Sequence, residues 1–292
     1  MKNILLFIVS IVFIAQAGFG QEVEETKKKK DKPVRSPFES AYLIDNQTQV
    51  IPTANTLESV IQHRFGTIDN GVKDLWGVYA SGANTRIGFN YSLMDNLLVG
   101  WGITKDKMYN DFQVKYNVIQ QTRKNTIPVT VTLYGNMAID GRNEVVFGKN
   151  YTFTNRFSYF SQLIVGHKFS DWVSVQVNTS FTHYNSVVKT GDHDKMGVGF
   201  SGRFKFSPQS SILFQYDMPL KIKGISEQTE WLNHPMPNVG IGYEVSTSTH
   251  AFQVFLSSAR GMIPQEIYMF NQNDWTDAGL VVGFNITRLW SF

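Results

Sequence analysis

The closing stretch AGLVVGFNITRLWSF, residues 278–292, decides how the rest of the chain is read. Leu280, Val282, Phe284, Ile286, Trp290 and Phe292 share one parity, and Gly283, Asn285, Thr287 and Ser291 the other. A period of two marks a strand with one apolar face and one polar face. Arg288 alone interrupts the apolar row.

The same alternation recurs upstream. In residues 86–93, Ile87, Phe89, Tyr91 and Leu93 alternate with Arg86, Gly88, Asn90 and Ser92, and a short turn at 94–96 returns the chain into 97–104. Further segments run over 110–120, 127–139, 156–168, 172–184, 195–206, 211–219, 238–245 and 250–258, with an opening strand at 57–66. Each is close to the length a tilted strand needs to cross a bilayer, and the total is about twelve, an even number as a single-chain barrel requires. The expected fold is therefore all-β, a single antiparallel transmembrane β-barrel of about 12 strands spanning residues 54–292.

The connections fit that topology. Short turns at 95–96, 123–126, 170–171, 207–209 and 246–249 alternate with longer loops at 67–85, 105–109, 140–155, 185–194, 220–237 and 259–277. If the mature N-terminus starts in the periplasm, every short turn falls there and every longer loop outside. A soluble β-sandwich also alternates, but its strands are fewer, and two features count against it. The apolar faces end in Tyr91, Trp172, Phe206, Tyr243 and Trp290, as an interfacial girdle requires. The opposite faces carry charges that a dry core would not accept.

The other terminus supplies an address. Residues 1–20 hold Lys2, an apolar run and then small residues, the pattern of a secretory signal cleaved before Gln21. Residues 21–53 are expected to be a disordered periplasmic tail; charge is concentrated in 21–35, and a basic membrane-contacting arm is the alternative. Of 27 basic residues one is Lys2 and six lie in 21–35, and of 24 acidic residues four lie there, so 20 of each remain. A neutral body removes support for a nucleic-acid partner. The absence of cysteine excludes thiol catalysis, thiolate metal sites, disulfides and a lipidated N-terminal Cys.

With a signal segment at one end and an aromatic at the other, the closing strand resembles that of bacterial outer-membrane barrels. The resemblance implies that Phe292, with Trp290 beside it, is an insertion signal read by the barrel-insertion machinery, and that lipid of a Gram-negative outer membrane is the surrounding partner. The segment at 38–68, FESAYLIDNQTQVIPTANTLESVIQHRFGTI, followed by NTRIGFNYSLMDNLLVGWG at 84–102, resembles an uncharacterised family of outer-membrane β-barrel proteins from Bacteroidetes. That likeness spans most of the mature chain and implies a fold and a location, with no catalytic or binding residue to carry over.

No Walker loop, GxSxG elbow or HExxH occurs, and no cofactor or metal is expected. His63 and His167 have outward parity near strand ends, where an imidazole sits among headgroups. Asp192-His193-Asp194 brackets an imidazole with two carboxylates in a loop, but adjacent residues rarely all face one metal. His183 points outward at the extracellular end of its strand, where outer-membrane phospholipases of similar strand count hold a catalytic His. Those enzymes place Ser two residues later, whereas here the order is His183-Tyr184-Asn185-Ser186. No nucleophile is positioned, so no catalytic residue is assigned.

The lumen offers the remaining candidates. Arg64, Arg86, Lys115, Arg156, Lys168, Arg203 and Lys205 fall on inward parity, against Glu58, Asp217 and Glu244. An open lumen so lined would favour anions; alternatively the charges pair and seal a narrow barrel. Twelve strands lie between filled and channel-forming sizes, and an inward-folded loop such as 220–237 could close the gap. The expected role is a passive pore or structural membrane component. The alternatives are a binding or assembly component working through its loops, and an outer-membrane lipid hydrolase.

Overall fold

The computed structural model describes residues 31–228 and 230–292. The expected signal segment at 1–20, and residues 21–30 of the expected tail, lie outside the described residues.

Twelve strands, β3 to β14, form a closed barrel in which each pairs antiparallel with the next and β14 (Val281–Ser291) pairs with β3 (Thr56–Thr67). Between them run β4 (Asn84–Met94), β5 (Leu97–Thr104), β6 (Asn110–Ile119), β7 (Thr130–Ile139), β8 (Phe157–Lys168), β9 (Val173–Tyr184), β10 (Asp194–Lys205), β11 (Ser210–Pro219), β12 (Asn238–Ser246) and β13 (His250–Ser257). The twelve expected segments are all present. One boundary moves for a plain reason: β7 starts at Thr130 instead of 127 because Pro128 has no N–H to give the ladder. Closure sets Trp290 opposite Leu57 and Ile286 opposite Ile61, so the stretch that announced the barrel also seals it.

The two faces have opposite chemistry. Outward rows such as Val99, Trp101 and Ile103 on β5 and Phe112, Val114 and Tyr116 on β6 are exposed, while their inward neighbours Asp111, Gln113 and Lys115 are buried. An apolar outside around a polar inside is the arrangement for a protein whose solvent is lipid. Closure also leaves no strand edge, so apart from irregularities at Val281/Gly283, Ser92/Met94 and Asn117/Ile119 the ladder is satisfied without water. Arg288, the break in the closing strand, lies on the outward row and sets its guanidinium 4.8 Å from the Trp290 ring.

The connections after β4, β8, β10 and β12 are short and lie at one end of the barrel with the start of β3 and the end of β14, the short-turn end; the β6–β7 connection at the same end lengthens to residues 120–129, longer than the 105–109 loop at the opposite, long-loop end. From the short-turn end a second structure enters the lumen. Two-residue strands β1 (Tyr42–Leu43) and β2 (Asn46–Gln47) make a hairpin with Ile44 and Asp45 at its tip. Phe38, Ala41, Tyr42, Leu43, Ile44, Asn46, Gln47, Thr48 and Gln49 are all buried. Of the expected disordered tail at 21–53, the part from 38 to 49 is thus an ordered plug. Its charge-poor sequence carries apolar residues enough to dock, and the disordered reading extended the composition of 21–35 too far.

A third element comes from the long-loop end. The connection between β13 and β14 folds inward as helix α1 (Pro264–Phe270), with Gln265, Ile267, Tyr268 and Met269 buried. Pro264 opens it, where a missing N–H costs nothing. The loop that closes the lumen is therefore 259–277, not the expected 220–237. The latter stays at the rim, with Leu232 80% exposed.

Candidate functional site: the plugged lumen

The plug is held at three levels. At its tip, near the long-loop end, the Asp45 carboxylate accepts from Arg64 (Nε 3.2 Å, Nη2 2.6 Å), Gln215 (2.9 Å) and Asn238 (3.0 Å), and from the Ser257 hydroxyl. The Arg64 and Asp45 side chains are 1% and 0% exposed. Midway, Lys115 donates to the carbonyls of Ala41 (3.2 Å) and Val50 (3.4 Å). At the short-turn mouth Glu39 accepts from Arg203 (2.7 Å) and Lys205 (2.8 Å). Burying charges costs several kcal/mol per ion unless each is paired and hydrogen-bonded, which is why the docked plug must present carboxylates where the wall presents guanidinium groups.

Apolar contact supplements these bonds. Ile44 and Leu43 pack with Phe38, Leu213 and Phe255. Ile44 has φ 54°, a left-handed conformation that is unfavourable for a β-branched residue. The tip is over-determined by its contacts, and the strain sits where the hairpin must turn inside the wall.

On the opposite side α1 covers β8 to β11. Tyr268 donates to Asp217 (2.9 Å) and to Asn178 (3.3 Å), and its ring centroid lies 5.6 Å from that of Phe160, itself 6.1 Å from Tyr134. Gly197 makes room for Tyr268, since a Cβ there would strike its ring. Gln265 donates to Asn136 at 2.7 Å. Between α1 and the plug a cavity of about 10 Å³ remains, bordered by Tyr42, Arg86, Asp111 and Pro264, about the size of one water.

The candidates read from parity divide as follows. Arg64, Arg86, Lys115, Arg203, Glu58, Asp217 and Glu244 are buried in the lumen. Glu58 accepts from Asn90 (2.8 Å), Glu244 from Gln253 (2.8 Å), and Asp217 from Asn46 (2.9 Å) and Tyr268. Lys205 and Lys168 lie at the short-turn mouth, Lys168 paired with Asp171 at 2.7 Å. Arg156 does not line the lumen. It ends a 3₁₀ turn before β8, bonds the Tyr151 hydroxyl at 2.6 Å and stacks beside Phe147, because the strand starts one residue later than expected.

Three inward acids escaped the sequence reading. Asp111 pairs with Arg86 at 2.6 Å across β5, where Gly102 leaves space for the guanidinium. Its parity with Gln113 and Lys115 was readable. Asp45 and Glu39 lie in the plug, outside any alternating segment, and no local signal marked them. Together these three offset the basic lining from which anion preference was expected.

The outward candidates are engaged elsewhere. His63 bonds Thr85 at 2.8 Å and stacks on Phe284, and His167 lies against Phe169. The His183 ring nitrogens meet Asp194 (2.6 Å) and Asn185 (3.0 Å). Asp192 turns away to Lys195 (2.7 Å), the Ser226 hydroxyl and the Glu227 and Gln228 amides (2.9 Å). Although its partial burial acts the other way, these donors hold its carboxyl below the ordinary value of 3.8. Asp192, His193 and Asp194 do not converge, and among the described residues no group of three His or acidic side chains could hold a metal.

Solved structures with a similar strand arrangement include the KdgM porin (7% identity, TM-score 0.45, covering 81% of this chain and 99% of that one) and the NanC porin (8%, 0.49, 81% and 99%). An outer membrane channel from Pseudomonas putida F1 is a third (11%, 0.48, 83% and 97%). No curated protein matches this chain. The family model described as membrane bound beta barrel domain (DUF5777) matches residues 38–290, from the first buried aromatic of the plug to the girdle tryptophan of the closing strand. The chain belongs to that family of membrane β-barrels.

Proposed function

We propose that the protein is a passive, non-enzymatic passage in the outer membrane of a Gram-negative cell, closed at rest by its own N-terminal segment. Its short turns and N-terminus lie in the periplasm and its longer loops outside. The observation that carries this reading is how the lumen is filled. A barrel built only as a structural element can fill its interior with bulky wall side chains. Here the wall is lined largely by Ser, Thr, Asn and Gln with Gly at Gly102, Gly197 and Gly199, and a separate hairpin and a loop helix occupy the space. Wall chemistry suited to water, closed by detachable segments, is what a gated passage needs. The runner-up, a binding component acting through its loops, draws on the exposed Val72, Trp76, Tyr79 and Val145.

The test exploits the absence of native cysteine. Asn46 in the plug donates to the Ser201 hydroxyl on β10 at 3.2 Å, so Asn46→Cys with Ser201→Cys places a thiol on each side of the plug–wall contact. In planar bilayers the wild type should show no steady conductance, with rare openings that oxidation of the double variant abolishes and reduction restores. A steadily open wild type would refute closure by the plug. Silence in every plug-weakened variant would refute the passage and leave the structural role.

A further inference from the structure

Charge is unevenly distributed around the lumen. The buried ionisable groups of the wall lie on β3 to β6 and on β10 to β12. The inward faces of β7, β8 and β9 carry no charge between their ends: Lys168 lies at the short-turn mouth, and Asp140, just past β7 at the long-loop end, is paired with Arg142. Along β9 the inward residues Ser174, Gln176, Asn178, Ser180 and Thr182 form an unbroken row of hydroxyls and amides. Successive members are ~7 Å apart and the row extends ~27 Å, close to the thickness of a membrane core.

This row is poorly served by the closed state. Gln176 Nε2 donates to the plug carbonyl of Gln47 at 2.7 Å, but Ser174 Oγ, Gln176 Oε1, Asn178 Nδ2 and Thr182 Oγ1, with Gln162 Oε1 on β8, are buried and have no hydrogen-bond partner. Buried polar groups are paired almost without exception, because an unmade bond costs the full desolvation of the group. Unpaired groups also occur on other strands, at Ser92, Thr104 and Ser211, but five of them crowded onto two adjacent uncharged strands leave room for a partner beyond the plug and α1. Where α1 does touch the row, Tyr268 shows what fits: a flat ring against Phe160, carrying a hydroxyl that bonds Asn178 and Asp217.

We propose that the β8–β9 wall is a binding track for neutral polyhydroxylated solutes of the carbohydrate class, and that Tyr268 occupies one of its ring subsites in the closed state. This rests on the gated passage proposed above and names what it carries. A sugar hydroxyl both donates and accepts, matching the serine and threonine hydroxyls and the amides, and the apolar face of a pyranose lies on aromatic rings such as Phe160 and Tyr134. An ion on the same wall would lose hydration without meeting an opposite charge.

The probe pair is maltotriose and trigalacturonic acid, equal in ring number and different in charge. In Asp45→Ala/Tyr268→Ala barrels in planar bilayers, maltotriose should interrupt the ion current at lower concentration than the acid. Adding Asn178→Leu should raise its half-blocking concentration about tenfold. Equal or stronger block by the acid, or no effect of Asn178→Leu, overturns the track while leaving the passage intact. If the opened variant passes no current, the passage reading fails separately. Calorimetric titration of detergent-solubilised Tyr268→Ala with maltotriose then decides: binding abolished by Asn178→Leu upholds the track, and no binding overturns it.

Discussion

Replacing Asp45 by alanine removes the acceptor on which the plug tip converges. Arg64, 1% exposed, would keep its charge in a closed lumen with only the His63 and Ile44 carbonyls and Asn285 as remaining acceptors. Breaking a buried ion pair by removing one partner costs about 3–5 kcal/mol. That penalty applies to the docked state alone, because an undocked plug lets water reach Arg64. The whole cost therefore acts on the docking equilibrium, and at 1.4 kcal/mol per decade it raises the undocked population by about two to three and a half orders of magnitude. Single-channel recording in a Tyr268→Ala background, which releases the α1 contact with Asn178 and Asp217, should show a correspondingly higher open probability when Asp45→Ala is added. The compensating variant Asp45→Leu/Arg64→Met removes the uncompensated charge and should recover part of the closure, the remainder being lost because Gln215 and Asn238 still lack their acceptor. The reasoning is refuted if, in that background, Asp45→Ala leaves the open probability unchanged, or if Asp45→Leu/Arg64→Met is as open as Asp45→Ala.

Other outcomes follow from the same contacts. Gly240→Val places a Cβ 2.9 Å from Gln215 and 3.2 Å from Ile44; overpacking costs about 1–3 kcal/mol, so the plug should open more often, with no hydrogen-bonding group removed, in the same recordings. Val177→Arg puts a cation on the lipid face in the middle of β9, where such a charge costs about 2–4 kcal/mol, and should lower the folded fraction in urea titrations in liposomes; an unchanged midpoint would mean that the faces are misassigned. Asp192 has a depressed carboxyl pKa, so its stabilisation of the 226–228 turn is complete above the ordinary 3.8 and lost as pH falls through the lower folded value. Hydrogen exchange should show the Glu227 and Gln228 amides protected at neutral pH and released in acid, and Asp192→Asn should release them at neutral pH.

The alternation of Leu280, Val282, Phe284 and Ile286 with Gly283 and Asn285 was enough to place a strand, its lipid face and its lumen face, because a pleated strand has an intrinsic period of two whatever it pairs with. Twelve such segments and the rhythm of short and long connections carried the barrel. Parity likewise put Arg64, Arg86 and Glu244 inside, and applied fully to β6 it would have added Asp111. What faces the lumen is a local property of each strand; what fills the lumen is not. The plug has strands of only two residues, and α1 has seven, too short to leave a period. Asp45 and Glu39 acquire their roles only when Arg64, Gln215, Asn238 and Ser257, drawn from strands across the barrel, converge on one point. That convergence, and with it the choice between an open basic pore and a closed, charge-compensated one, was decided by the tertiary structure, because pairing a buried cation requires a partner brought from a distant part of the chain.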